Sequence, residues 1–287
     1  MRISPDDRSV VVTGASSGLG KACALHLDRL GYQVFAGVRR ESDGDILVAA
    51  STSGRLRPVL LDVTDQATVR AAVKTVGHEL WGLVNNAGVC VPGPVECLSP
   101  QRLRDQLEIN VVGAATVTSA FLPLLREASG RVVNVSSGLG RIASPYLGAY
   151  AASQFAKEGL SDALRRELRP FGVAVSVVQP GAIMTPIWTK LAAQGDDLLD
   201  TADADVADLY RVPFRHFLAT NDKRARRSGT MPDDFARTVA RALDARRPRS
   251  RYQVGPDARA GSVLYRLLPD SLLDLVFAKA ASPGGHR

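Results

Sequence analysis

Ser137 and Tyr150 stand thirteen residues apart in RVVNVSSGLGRIASPYLGAYAASQFAK, residues 131–157. A hydroxyl at a strand end and a phenol at a helix start can hold one carbonyl oxygen and exchange a proton with it. Thirteen residues let the chain leave the strand, loop out and return a helix across the same cleft. One turn after Tyr150, where a cation would best assist the phenol, the chain carries the neutral Gln154. A free phenol loses its proton near pH of about 10, and a nearby cation brings that value down. Gln154 supplies only an amide dipole. Lys157 lies roughly 4.5 Å further along the helix axis than Gln154, which argues against direct replacement.

A second constellation precedes this one. Thr13-Gly14-Ala-Ser-Ser-Gly18-Leu-Gly20 follows the β-branched run Ser9–Thr13 and opens a helical pattern that Gly31 stops. Glycines between a strand and a helix let the backbone turn tightly and let a diphosphate approach. The helix N-terminus then offers unpaired N–H groups and the positive end of its dipole.

The elements that must position these groups follow from the pattern. Apolar runs at Ser9–Thr13, Gln33–Val38, Pro58–Leu61, Trp81–Val84, Arg131–Val135, Val173–Val178 and Arg251–Val254 read as strands. Between them, Gly18 to Gly31, Asp65 to Gly77, Pro100 to about Arg126, Tyr150 to Arg169 and Pro232–Ala245 read as helices. Thr64 or Asp65 can cap the second of these, and Ser99 with Pro100 makes an N-cap and N1 pair. Arg39–Arg57 reads as a polar connection. Strands alternating with helices at this spacing argue for one α/β domain, a parallel sheet with helices on both faces. Residues 183–225 read as short helices forming a lid, and 258–287 as a C-terminal extension.

With these marks in one order (TGxxxGxG at 13–20, NNAG at 85–88, Ser137, Tyr150, and PG at 180–181), the chain resembles the short-chain dehydrogenase/reductase family over roughly residues 8–187. GLSDALRREL at 159–168, with NVSSGLGR upstream, is most similar to the branch of retinol and hydroxysteroid dehydrogenases. The resemblance implies a doubly wound, Rossmann-type sheet and a nicotinamide cofactor. It gives Gly14, Ser16, Ser17, Gly18, Leu19 and Gly20 to the diphosphate and ribose, Asp62 and Val63 to the adenine, and Asn86, Ala87 and Gly88 to the adenosine half. Pro180, Gly181, Ile183 and Thr185 hold the nicotinamide carboxamide. Tyr150 is the general acid/base, Ser137 orients the substrate oxygen, and Asn110 helps to hold a relay water. The family's lysine position, which also binds the nicotinamide ribose, is Gln154 here. Where NAD enzymes of this type carry an Asp at the end of the second strand, this chain has Val38, then Arg39 and Arg40. Arginine pairs with a 2′-phosphate, so NADP(H) is favoured over NAD(H).

Three readings of Gln154 stay open: a working oxidoreductase with a weakened proton step, a cofactor-binding homologue turned to sensing or non-redox chemistry, and an inactivated Lys-to-Gln variant. The substrate pocket is expected from residues 90–97, 138–147 and 183–218, with Val91, Pro92, Leu139, Ile142, Tyr146, Leu147, Ile187, Trp188, Leu191 and Phe214 suiting an apolar ketone or alcohol. The long helices at 99–126 and 150–169 imply a homodimer or homotetramer.

The net charge of +7 comes from scattered arginines, with clusters at Lys223–Arg227 and Arg246–Arg251. No aromatic residues interleave with them, which argues against single-strand nucleic-acid binding. Cys23, Cys90 and Cys97 lack metal-ligand spacing, so no metal is expected, and they fit a reduced, cytoplasmic setting. The N-terminus has no secretory signal pattern, and no uninterrupted apolar run suggests a membrane span. The Leu-rich stretch Ser262–Ala280 reads as a core or dimer element in preference to a membrane-surface helix.

Overall fold

The computed structural model describes residues 8–281. Its strands are β1 (Ser9–Val12), β2 (Gln33–Val38), β3 (Leu56–Leu60), β4 (Gly82–Asn85), β5 (Arg131–Val135), β6 (Ala174–Pro180) and β7 (Arg251–Val254). Its helices are α1 (Gly18–Arg29), α2 (Glu41–Ala50), α3 (Gln66–Val76), α4 (Pro100–Leu107), α5 (Gly113–Glu127), α6 (Gly148–Leu168), α7 (Ile187–Thr201), α8 (Ala204–Arg227), α9 (Pro232–Asp244), α10 (Pro256–Leu267) and α11 (Asp270–Ala281).

The seven strands form one parallel sheet in the order β3-β2-β1-β4-β5-β6-β7. Alternation along each strand feeds two cores. Val10, Val12, Val34 and Val133 face Cys23 and Leu27 of α1, Leu47 of α2, and Phe235, Val239 and Leu243 of α9. Val11, Phe35, Leu83 and Val132 face Val69 and Val76 of α3, Val117, Phe121 and Leu125 of α5, and Leu168 of α6. Strands buried on both faces need the near-continuous apolar runs that this sequence carries. Each such side chain contributes about 1.5–3 kcal/mol on full burial. The strand order reverses between β1 and β4, so a crevice opens beyond their carboxyl ends, where open α/β sheets bind their ligands.

Several boundaries differ from the sequence reading. The stretch 39–57 is not a loop: it contains α2, which buries only Gly44 and Leu47. β3 starts two residues earlier than expected, and α6 begins at Gly148, ahead of Tyr150. The expected helix from residue 100 is interrupted by a wide π-type turn at Glu108–Val112. The stretch Pro100–Glu127 is long and apolar enough to cross a membrane by length and composition alone. Its Val117, Phe121 and Leu125 are packed in the core. In place of short helices, 183–225 holds the long pair α7 and α8, joined by Arg215–Asp196 at 3.0 Å. The Leu-rich tail breaks before Pro269 into α10 and α11, leaving Leu267, Leu272 and Leu275 exposed. Expectations for residues 1–7 and 282–287 lie outside the described residues.

Candidate active site

The glycine-rich turn is lashed to the end of β4. Asn86 Nδ2 donates to the carbonyls of Thr13 at 3.0 Å and Gly14 at 3.2 Å. Thr13 Oγ1 accepts from the Asn86 and Ala87 amides, both at 3.0 Å. A Cβ on Gly20 would fall 2.1 Å from the Gly14 carbonyl oxygen and 2.5 Å from Asn86 Nδ2, so no side chain fits there. Asn86 is therefore a strut under the turn, while Asn85 is buried below it, donating to Thr118 Oγ1 and Asn134 Oδ1 at 2.8 Å. Ser17 occupies the N-cap of α1 but makes no side-chain cap, and the first turn holds no acid. The first amides of α1 thus face the crevice without a side-chain acceptor.

At the end of β2, Val38 is buried and Arg39 and Arg40 are exposed. Arg40 is occupied by Asp43, at 3.0 and 3.1 Å. Arg39 makes no hydrogen bond or ion pair among the described residues. Asp62 accepts from the amide and hydroxyl of Thr64, at 2.9 and 2.7 Å, and Val63 packs against the α5 start at Gly113.

The second half of the site gathers at the carboxyl ends of β5 and β6. Ser137 follows β5 and stands near the phenol of Tyr150, whose pKa it draws down, while its Oγ accepts from the Leu139 amide at 3.2 Å. Burial acts more strongly, and with Cys90 close by it holds Tyr150 above the ordinary tyrosine range. Asn110 sits in the π-type turn, fully buried, with Nδ2 donating to Val89 O at 2.9 Å and to Ser153 Oγ at 3.0 Å. Its Oδ1 accepts from the Val89 amide at 2.8 Å. Ser153 in turn donates to the Tyr150 carbonyl at 2.8 Å and accepts from Gln154 Nε2 at 3.4 Å. Gln154 Oε1 is buried and has no hydrogen-bond partner among the described residues. Across the cleft, Ile183 is buried and Thr185 lies opposite the glycine turn, 3.6 Å from where a Gly18 Cβ would stand.

An apolar cavity of about 210 Å³ opens beneath α7 and α8, lined by Pro92, Leu147, Trp188, Leu191, Phe217 and Leu218, with Asn221, Asp222 and Arg226 at its polar end. Of the expected lining, Phe214 is instead in the core of the helix pair, and Val91, Leu139, Ile142, Tyr146 and Ile187 do not line this cavity. Tyr146 holds the left-handed backbone value φ 63° and packs its ring on Phe214 and Phe217 at 5.4 and 5.2 Å. Such a conformation costs on the order of 1–3 kcal/mol. Here it bends the chain into α6 beneath the helix pair.

The family model described as short chain dehydrogenase matches residues 8–196. The chain belongs to the short chain dehydrogenase family. It is 41% identical over 272 residues to 3-amino-tetrahydro-pyrrolizinone reductase of Xenorhabdus hominickii, covering 93% of each chain. It is 40% identical over 285 residues to retinol dehydrogenase 5 of Mus musculus, covering 94% of this chain and 87% of that one. A solved short-chain dehydrogenase from Streptomyces avermitilis superposes with a TM-score of 0.72 at 30% identity, over 95% of this chain and 94% of that one. As a short-chain dehydrogenase the chain is an enzyme of nicotinamide-dependent oxidoreduction. Two features of this chain fit such a cofactor. The uncapped start of α1 suits a diphosphate, and the orphaned Gln154 Oε1 can accept from a ribose hydroxyl.

Sequence reasoning passed over two buried groups, Ser153 and Glu158, and set a third, Lys157, aside. Ser153 links Asn110, Tyr150 and Gln154, and its only sequence signal is a small polar residue one turn after Tyr150. Glu158 accepts from Ser136 Oγ at 2.6 Å, Gln179 Nε2 at 2.8 Å and Arg251 Nε at 2.8 Å, so it braces the Ser137 turn from below. Lys157, which the sequence reading kept apart from the phenol, is 2% exposed and donates to the Val135 carbonyl at 3.1 Å.

Burial brings the Lys157 amine down to about 8 from 10.5. Between those values the unfolded chain holds a proton that the folded chain has lost, so stability rises with pH across that window. Below pH of about 8 both states are protonated and the folded chain carries an unpaired buried charge. Lys157→Met is expected to raise stability at pH 7 by about 1–3 kcal/mol and to remove the rise above pH 8, read by urea denaturation. An unchanged slope would mean that the amine is solvated.

Proposed function

We propose that the chain is an NADP(H)-dependent reductase of an apolar ketone, run in reverse on the matching secondary alcohol. The observation that carries this reading is the placement of Ser137 beside the buried phenol of Tyr150 at the end of β5. When bound, the nicotinamide supplies or receives the hydride. Ser137 holds the carbonyl oxygen, and Tyr150 gives its proton to that oxygen as it gains negative charge. Reduction needs the phenol protonated, which its raised pKa favours; oxidation needs the phenolate, which the same shift disfavours. Gln154 grips the ribose through its free carbonyl oxygen without acidifying the phenol. Asn110, locked by Val89 and Ser153, fixes the helix around the site. Gly14, Ser16, Ser17, Leu19 and Gly20 take the diphosphate side, Asp62, Val63 and Asn86–Gly88 the adenosine side, and Pro180–Thr185 the carboxamide. The apolar cavity under α7 and α8 takes the body of the substrate, and those helices serve as its lid. We further place the chain in a reducing compartment as a homodimer or homotetramer, its three free thiols and long outer helices supporting that reading.

Arg39 carries the cofactor preference, since Arg40 is engaged by Asp43. Titration of NADPH and NADH should find NADPH bound tighter, and Arg39→Asp should shift the ratio towards NADH by about 10- to 100-fold. An unchanged ratio would remove Arg39 from specificity. Equal absence of binding for both cofactors would remove the assignment of the whole crevice.

A second reading rests on Gln154. A neutral group beside a phenol whose pKa is already raised suits a protein that binds the cofactor and senses it. NADPH binding without turnover of any apolar carbonyl would favour it.

A further inference from the structure

The N-terminus of α10 touches three parts of the site at once. Asp257, its second residue, accepts with Oδ2 from the Ala182 amide at 2.7 Å. The same oxygen accepts from Arg224 Nη2 of α8 at 3.3 Å. Asp257 Oδ1 lies against Gly181: a Cβ there would fall 2.0 Å from it, and one on Gly255 would fall 2.7 Å away. Both glycines therefore leave room for this carboxylate. Oδ1 itself is buried and without a hydrogen-bond partner among the described residues. Next to it, Ala258 is buried and packs over Gly138, 3.7 Å from where a Cβ would stand, beside Ser137. Arg224 belongs to the same stretch of α8 as Asn221, Asp222 and Arg226, which line the substrate cavity.

We propose that Asp257 is a positioning residue that couples the substrate helix α8 to the Gly181–Ala182 loop, so that filling the cavity tightens the hold on the nicotinamide end. This rests on the reading that residues 180–185 face that end of the cofactor. The carboxylate fixes the loop from behind through the Ala182 amide. Arg224 ties the same carboxylate to the cavity wall. A substrate that settles α8 settles Arg224, then Asp257, then the loop. The link is reciprocal: bound cofactor must favour substrate binding by the same factor. Arg224 is 60% exposed and Asp257 21%, so the ion pair is a modest one. Coupling of about fivefold is the expected scale.

The test uses the full chain with Arg224→Gln, Asp257→Asn and the double variant, and two measurements. The first is hydrogen exchange at the Ala182 amide without cofactor, which should quicken about three- to tenfold in Arg224→Gln with an unaltered melting temperature. The second is NADPH affinity with and without a saturating apolar alcohol. In the native chain the alcohol should tighten NADPH about fivefold. That gain should vanish in either single variant and not fall further in the double. Arg224→Lys should restore part of it. If exchange at Ala182 and the fivefold gain both persist in Arg224→Gln, or the two substitutions add independently, the coupling is wrong. If NADPH fails to bind the native chain, the site reading fails and takes the coupling with it. If NADPH binds and only the gain is absent, the coupling alone fails.

Discussion

Tyr150→Phe is expected to lower turnover by about 10²- to 10⁴-fold while leaving NADPH affinity within about twofold. The ring that packs the site is kept, so folding is not at stake. What is lost is the phenol proton that stands beside Ser137. Cofactor contacts assigned to the glycine turn and to Gln154 do not run through the phenol oxygen. The loss should therefore fall on kcat, with the KM for NADPH little changed. Retained turnover would mean that another group protonates the substrate. Cys90 is the nearest rival, and burial pushes its thiol well above the ordinary range, which makes it a weak acid at neutral pH.

Gln154→Lys should have the next largest effect, and mainly in one direction of the reaction. An ammonium placed about 4–6 Å from a phenol lowers its pKa by about one to three units. Oxidation of an alcohol needs the phenolate. In the native chain its rate should climb about tenfold per pH unit towards alkaline pH, because the phenol's pKa is raised. In the lysine variant that limb should move to lower pH and oxidation near pH 8 should rise about 10- to 1,000-fold. Reduction uses the protonated phenol and should change far less. Lys157 complicates the variant, because it already buries a positive charge on the next turn of α6. A second ammonium raises the electrostatic cost, so Gln154→Lys is best made with Lys157→Met. A parallel gain in both directions would point to better cofactor binding instead of a changed phenol.

Much of this site can be read from the sequence because its backbone demands are severe. Gly20 admits no side chain, the strands need valine on both faces, and Ser137 and Tyr150 are fixed by the strand end and the helix start. α2 escaped because its first half, ESDGD, is polar and its apolar run ILVAA is short, and because it carries Gly44, which is small for packing: a Cβ there would press on Pro58 at 2.7 Å. The helix pair α7 and α8 escaped because Pro213 lies inside α8, and ion pairs such as Arg102–Asp197 at 2.6 Å hold much of its surface. The pocket reading stopped at residue 218 for the same reason, whereas α8 carries its lining on to Arg226. Ser153, Glu158 and Asp257 gain their roles from partners distant in the chain. Asp257 reaches Ala182 across 75 positions, a pairing that no local pattern announces.

On the proposed reading, Ser137 and Tyr150 hold and protonate the carbonyl oxygen while the nicotinamide would give hydride to the carbonyl carbon, despite the neutral Gln154. The most direct measurement is consumption of NADPH by the native chain over a panel of apolar ketones, with the alcohol quantified alongside. The native chain should form alcohol in equal amount to the NADPH consumed, and Tyr150→Phe should lose both. NADPH that binds the native chain and Gln154→Lys alike, yet is consumed by neither on any ketone of the panel, would contradict it.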